Sequence, residues 1–303
     1  MANVFGLPIV LSIVLGVTFP YTAVLLMPYG IVFLFLLMIW AGLTIDWSKL
    51  RNVSRYLKEL SVGLLFLYIL FPSVQSLLAH WLLTDSQYLY GVVFASLCPV
   101  AIVAPFFSQL TQSDEEFSFL LMAVSMVLFP IAAPIGLQLF LSSSVPVNLT
   151  PLVKYMLLLV TVPLSISYLI SRYLPGLRTA IQPYLAPLNM GSLSILIFIL
   201  FGTAVGRLNV NYTATHEIWT LLLLGFLQDF GVLYAGRSLF RLWFERDIAN
   251  SLAISLSMKN VAIAAGILLF YDPRASFPAA LVFVAHACLF SFISLTGSWK
   301  NAR

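Results

Sequence analysis

The apolar positions of this chain fall into runs of about 20 residues that recur from one end to the other, the length a helix needs to span a hydrocarbon core of about 30 Å. Set against the polar and Pro/Gly breaks, they predict ten spans, near 5–19, 25–44, 57–83, 88–110, 115–142, 150–172, 184–206, 216–237, 247–271 and 275–298. The links between them are too short for a separate soluble domain of about 50 residues. The expectation is an all-α integral membrane protein forming one domain over residues 1–303. The first run is short, and Pro20 marks either a bend or the end of a span. No basic stretch or small-residue cleavage site precedes it, so it is expected to be a retained helix and not a signal peptide.

Composition supports this. Hydrophobic residues make up 61% of the chain and charged residues 9%, against about 25% charged in a soluble domain. Cys98 and Cys288 both lie in apolar spans, which leaves no disulfide framework and no CxxC-type metal or redox motif. The net charge of +4 first reports orientation in such a chain and does not imply nucleic acid. With the amino terminus cytoplasmic, the inner loops collect Lys49, Arg51, Arg55, Lys58, Arg172, Arg178, Arg237, Arg241, Arg246, Lys300 and Arg303. The outer loops hold only Lys154, Arg207 and Arg274, and Lys259 lies within a span. Eleven against three predicts both termini inside, in a plasma membrane or a bacterial inner membrane. The acidic inner stretch Asp114, Glu115 and Glu116 contributes little to that rule.

Two spans carry related interruptions. The fourth reads "SLCPVAIVAPFF", where Pro99 and Pro105 enclose a segment that cannot continue a regular helix. The ninth reads "SMKNVAIAAG"; Val100, Ala101 and Ile102 align with Val261, Ala262 and Ile263, each set four residues after a serine, Ser96 and Ser257. Spans four and nine hold the same rank in two halves of five, about 1–145 and 146–303. An odd number of spans per half gives the halves opposite orientation, the pattern of an inverted repeat. Interrupted helices at corresponding positions of such halves point to a transport site near the midplane. Ordinary proline kinks and a chance three-residue match are the other reading of the same residues.

Three ionisable residues lie deep in their spans: Asp229 in the eighth, Lys259 in the ninth and His286 in the tenth. Each is roughly 16 Å from the surface at 1.5 Å per helical residue. A charge at that depth costs at least about 2.5–3.5 kcal/mol on insertion scales, so it should face the bundle interior and find a partner. Asp229 is the obvious partner for Lys259, either as a coupling or substrate-binding pair that exchanges a proton or as a static bridge between spans. His286 is either a relay or a histidine satisfied by a nearby carbonyl. His80 and His216 fall near span ends and read as interfacial. No HExxH, P-loop or GxSxG motif is present, and no second intramembrane carboxylate accompanies Asp229, so neither an enzyme nor a metal or organic cofactor is expected. The sequons at Asn52, Asn148 and Asn211 are too short to carry an argument.

The stretches "MIWAGLTIDWSKLRNVSRYLKEL" (38–60), "LFLYILFP" (65–72), "SLCPVAIVAP" (96–105) and "SLSMKNVAIAAG" (255–266) resemble, in order, four motif regions of the bile acid:sodium symporter family and its wider superfamily. The resemblance implies a ten-helix fold in which a core domain surrounds two crossed broken helices beside a panel domain. It also implies alternating-access transport of amphipathic or small organic anions, with membrane lipid as the other partner. The family's sodium positions are changed. The glutamate of its "ExGMQN" is Ser255, the glycine is Ser257 and the glutamine is Lys259, while Met258 and Asn260 remain. The serine and asparagine that close its "CPGGTASN" are Ala104 and Pro105, after Cys98 and Pro99, and the third-span glutamine is Leu67. These groups do not suit a hard cation that prefers oxygen ligands. Two roles follow for Lys259: a built-in cation replacing sodium, with transport driven by the substrate gradient or by protons, or a direct contact to an anionic substrate. A non-transporting sensor or partner subunit on the same fold is the competing expectation.

Overall fold

The computed structural model describes residues 6–141, 149–208 and 215–296. Asn148, Asn211, Lys300 and Arg303 lie outside them. Apolar runs in a bilayer must satisfy their backbone groups internally, and helix does this within a single segment. The chain forms α1 (Gly6–Thr18), α2 (Pro20–Thr44), α3 (Lys49–Leu82), α4 (Ser86–Ser96) and α5 (Ala104–Leu110). There follow α6 (Glu115–Leu141), α7 (Thr150–Tyr173), α8 (Pro175–Gly206) and α9 (His216–Phe240). The last are α10 (Arg246–Ser257), α11 (Val261–Tyr271) and α12 (Pro273–Leu295). Among the described residues, seven of these helices (α2, α3, α6, α7, α8, α9 and α12) are long and apolar enough to cross a membrane.

Prolines set several boundaries away from their expected places. Only Phe19 separates α1 from α2 (φ −119°, ψ 56°), and Pro20 stands in the first turn of α2. Proline is tolerated there because the first N–H groups of a helix have no intrahelical partner. The second span therefore begins at Pro20 and not near residue 25. In the same way α8 opens at Pro175, ahead of the expected 184. Both helices begin with a seven-residue segment (Pro20–Leu26, Pro175–Ile181) followed by a 3₁₀ turn (Met27–Tyr29, Gln182–Tyr184), 155 positions apart. Wide π-type turns interrupt α3 at Phe66–Leu70, α7 at Leu157–Thr161 and α9 at Leu227–Gly231. The first two end two residues before Pro72 and Pro163, whose rings displace the carbonyl four residues back. The turns at 66–70 and 227–231 are 161 positions apart, the separation of Ser96 and Ser257.

Two groups of helices pack side by side. α8 lies along α1 and α2, and α7 lies along α2; α12 packs on α4, α9 and α11, and α10 packs on α9. Close approach in the first group depends on small residues: a Cβ at Gly16 would stand 2.7 Å from the Phe198 carbonyl oxygen, and one at Gly202 would collide with Ala23. The outer surface is apolar, as lipid requires. On α6, Val127, Ile131, Ile135 and Leu139 form an exposed stripe at four-residue spacing. Tyr21, Trp81, Tyr173, Tyr184 and Trp219 are exposed aromatics of the kind found at bilayer interfaces.

The connections sort to opposite ends. At one end the Lys49 and Lys58 ammonium groups lie over the Phe119 and Phe244 rings, and the Asp114 amide donates to the Asp247 carbonyl. At the other, Arg274 pairs with Asp85 at 2.6 Å, Glu217 accepts from Thr84, and Gln87 donates to Asp272. Overpacking at a helix–helix contact costs about 1–3 kcal/mol. Gly16→Val should therefore lower the thermal midpoint of purified protein in detergent. Gly176→Ala, at a site with no neighbouring atom within 4 Å, should leave it unchanged.

Candidate functional site

The two interruptions meet. α4 ends at Ser96 and α5 starts at Ala104, while α10 ends at Ser257 and α11 starts at Val261. The exposed backbone groups of one break are satisfied by the other: the Ala101 amide donates to the Met258 carbonyl at 2.7 Å, and the Asn260 amide donates to the Pro99 carbonyl at 2.8 Å. These bonds form one antiparallel bridge between Val100 and Lys259. The Val100 amide is taken up by Ser125 Oγ on α6 at 3.2 Å. The second break is an inverse γ-turn: Asn260 has φ −79° and ψ 65°, and the Val261 amide donates to the Lys259 carbonyl at 2.9 Å. Pro105 sits in the first turn of α5, so it starts a helix and does not kink one.

Lys259 is almost fully buried, 1% exposed. Its Nζ donates to the Ser96 carbonyl at 2.9 Å and the Leu67 carbonyl at 3.2 Å, and lies 4.6 Å from the centre of the Phe71 ring. The Ser96 carbonyl is the open end of α4, where the helix dipole is negative. Leu67 belongs to the wide turn of α3. The ammonium is therefore held by a helix end, a loosened carbonyl and a π face, and the expected ion pair with Asp229 is not formed.

Asp229, fully buried in the wide turn of α9, faces His286 of α12 instead, with Oδ2 2.7 Å from Nδ1. The contact is close but not an aligned hydrogen bond, and neither carboxylate oxygen has an aligned donor. On its other side His286 Nε2 donates to the Lys259 carbonyl at 2.9 Å. The three ionisable residues are thus linked, but through the backbone of Lys259 and not through its side chain.

The other expected site residues divide. Ser255 shares a 2.8 Å hydrogen bond with Ser118 of α6, and Ser257 Oγ donates to the Ile254 carbonyl within its own helix, so both are spent on packing. The Cys98 thiol is buried and turned back to the Phe94 carbonyl. Asn260 keeps its amide Nδ2 without a hydrogen-bond partner.

A cavity of about 420 Å³ opens between the two helix groups, within the range of small-molecule sites. Ala101–Val103, Lys259–Ala262, His286 and Phe290 form one wall, and Ile9, Leu37 and Leu193 contribute to the apolar wall opposite. Thr44, Arg178 and Gln182 line it as well, and Asn189 adds a side-chain oxygen with no hydrogen-bond partner. Arg178 donates to the Leu43 and Ile45 carbonyls at 3.4 and 3.3 Å. Nearby, the Ser48 hydroxyl and amide both donate to Asp46 and hold its carboxyl below its usual range. Residue-type reading missed the carbonyls of Leu67 and Ser96, because a backbone acceptor leaves no mark in side-chain identity. Pro72, which widens the turn, is the one available hint. Arg178 was visible only as an inner-loop charge, and Asn189 as a lone amide in an apolar run.

The profile of the Sodium Bile acid symporter family matches residues 31–211, about three fifths of the 303-residue chain. The chain is also similar to a Bacillus subtilis (strain 168) protein described as "Uncharacterized sodium-dependent transporter YocS", 25% identical over 126 residues. That match covers 42% of this chain and 39% of the relative, about two fifths of its length.

Removing a donor from a buried carbonyl costs about 1–3 kcal/mol. Lys259→Met, which keeps the side-chain length, strands the Ser96 and Leu67 carbonyls. The variant should unfold at a lower temperature in detergent than Phe71→Leu, which removes only the ring. An unchanged or higher midpoint for Lys259→Met would show that the ammonium does not hold the crossing together.

Proposed function

The chain belongs to the sodium bile acid symporter family, and from that premise we propose that it carries a small or amphipathic organic anion across the membrane by alternating access. The observation that carries this reading is the cavity beside the paired helix breaks. It is apolar over most of its wall, with Asn260, Asn189 and Arg178 as its open or edge polar groups. An anionic head would meet the amino-terminal end of α11 and the Asn260 amide, both electropositive. Arg178 adds a second positive position farther along the cavity.

The proposed architecture is two inverted five-span repeats that together make one domain of ten crossings. Repeated proline-led openings 155 positions apart support it, as do wide turns and helix breaks 161 positions apart. The positive loop end would be cytoplasmic, so the cavity that reaches Arg178 would be open inward.

Sodium does not suit the residues present at the family's positions. Ser255 is engaged with Ser118, Ala104 and Pro105 offer no side-chain oxygen, and the Lys259 ammonium occupies the carbonyls of Leu67 and Ser96. A resident ammonium would repel a second cation there. Transport is therefore proposed to be independent of sodium at these positions, with Lys259 as a structural cation whose side chain does not touch substrate. The sensor or partner-subunit alternative draws on the first break, where Cys98 is turned inward.

In proteoliposomes, labelled organic anions of graded size should be taken up equally in sodium and potassium buffers. No flux for any anion in any gradient would favour the sensor reading. Arg178→Gln should raise KM by about tenfold, the weight of one charge-assisted hydrogen bond of about 1.5 kcal/mol, with little change in maximal rate.

A further inference from the structure

The contact between Asp229 and His286 fixes how many protons it holds. Nε2 of His286 faces the Lys259 carbonyl at 2.9 Å. A carbonyl only accepts, so Nε2 must carry a hydrogen. Nδ1 then stands 2.7 Å from Asp229 Oδ2, too close for two unprotonated acceptors even though the contact is not an aligned hydrogen bond. The pair therefore holds one proton, on the imidazole as an ion pair or on the carboxyl as a neutral pair; either form has zero net charge. Removing it leaves a carboxylate beside a neutral imidazole and changes the pair from 0 to −1.

We propose that Asp229 and His286 form a proton-binding site of the cavity, holding one exchangeable proton whose presence keeps His286 between Asp229 and the Lys259 carbonyl at the second helix break. The site has a route for exchange, since His286 lines the cavity. It is also poorly built as a permanent bridge: both Asp229 oxygens and the neighbouring Gln228 Nε2 lack an aligned hydrogen-bond partner. When the proton leaves for cavity water, the Asp229–His286 contact turns repulsive and the imidazole is released from Asp229. The helix break that presents Asn260 then loses its fixed neighbour.

Few other charges bear on the pair. From the break between α10 and α11, Lys259 turns its ammonium away to Ser96 and Leu67, and from the first break comes the buried Cys98 thiol. α8 contributes Arg178 across the cavity. α4 contributes Tyr88 and Tyr90, which are occupied with Arg274 and Tyr271, and α12 itself carries Cys288, which is exposed. α1 has no titratable side chain over Gly6–Thr18. α9 carries Glu217 in its first turn, Arg237 in its last and Tyr234 against Phe292, and α10 carries Arg246 and Asp247 at its start. Loss of the proton lowers the charge of the site by one. Resting on the transport reading above, this makes proton and anion binding mutually supportive: anion affinity rises as pH falls and is lost as pH rises through the midpoint of the pair.

The chain has three histidines, so the full-length double variant His80→Gln/His216→Gln leaves His286 as the only one and the pair intact. With ¹⁵N-labelled histidine in lipid nanodiscs, the Nδ1 resonance should change in a single step between pH 5 and 9. Adding Asp229→Asn should weaken proton binding about tenfold and move the step down by about one pH unit. No step in that range, or a step at the same pH without the carboxylate, overturns the proposal. Because the first measurement leaves both members of the pair in place, it does not depend on the folding of an altered site. An intact, Asp229-dependent step in a protein that takes up no anion would support the proton site and remove the transport reading; uptake without a step would do the reverse.

Discussion

A helix broken inside a membrane exposes amides and carbonyls that lipid cannot satisfy, and this structure is organised around that constraint. Two breaks answer it together. Each supplies what the other lacks, through the Ala101–Met258 and Asn260–Pro99 hydrogen bonds, and Ser125 takes up the remaining Val100 amide. Each unmet group would cost several kcal/mol in hydrocarbon, so neither break is tenable alone. The pairing therefore fixes α4 and α5 against α10 and α11 and sets Asn260 on the cavity wall. The ionisable side chains are arranged around the same junction.

Those charges are distributed by what each needs. The ammonium of Lys259 requires acceptors and finds carbonyls at a helix end and a widened turn. The carboxylate of Asp229 requires a proton or a cation and finds His286. The lysine side chain and the carboxylate face different partners, and His286 connects them only through the Lys259 carbonyl. This division separates a cation held by carbonyls from a pair whose charge changes with one proton. In the proposed function, it separates what holds the fold from what responds to its surroundings.

Much of this was legible in the sequence. The all-helical apolar character and the interruptions at Pro99–Pro105 and around Lys259 came from residue identity and position. The partners did not. Depth places a residue along a helix but leaves rotation about the axis free, and the wide turn at Leu227–Gly231 resets that rotation just where Asp229 sits. The obvious attraction of opposite charges suggested Lys259 with Asp229, whereas carbonyl acceptors, invisible in side-chain type, hold the lysine. The helix starts expected near 25 and 184 lie instead at Pro20 and Pro175, for a related physical reason. Proline breaks a helix from within but begins one readily, and both residues begin theirs.

Pro99 and Asn260 face each other where the two breaks meet, 161 positions apart in the chain, the same offset that relates the wide turns. Asn260 donates its amide to Pro99, but proline has no amide to return. The junction is thus not symmetrical. In the proposed inverted repeat, two conformations that exchanged the roles of the halves would differ at least by that bond, about 0.5–1.5 kcal/mol, or roughly a two- to tenfold difference in population. Halves related in that way would then rest unevenly between the two faces, with part of the imbalance written into a single imino acid.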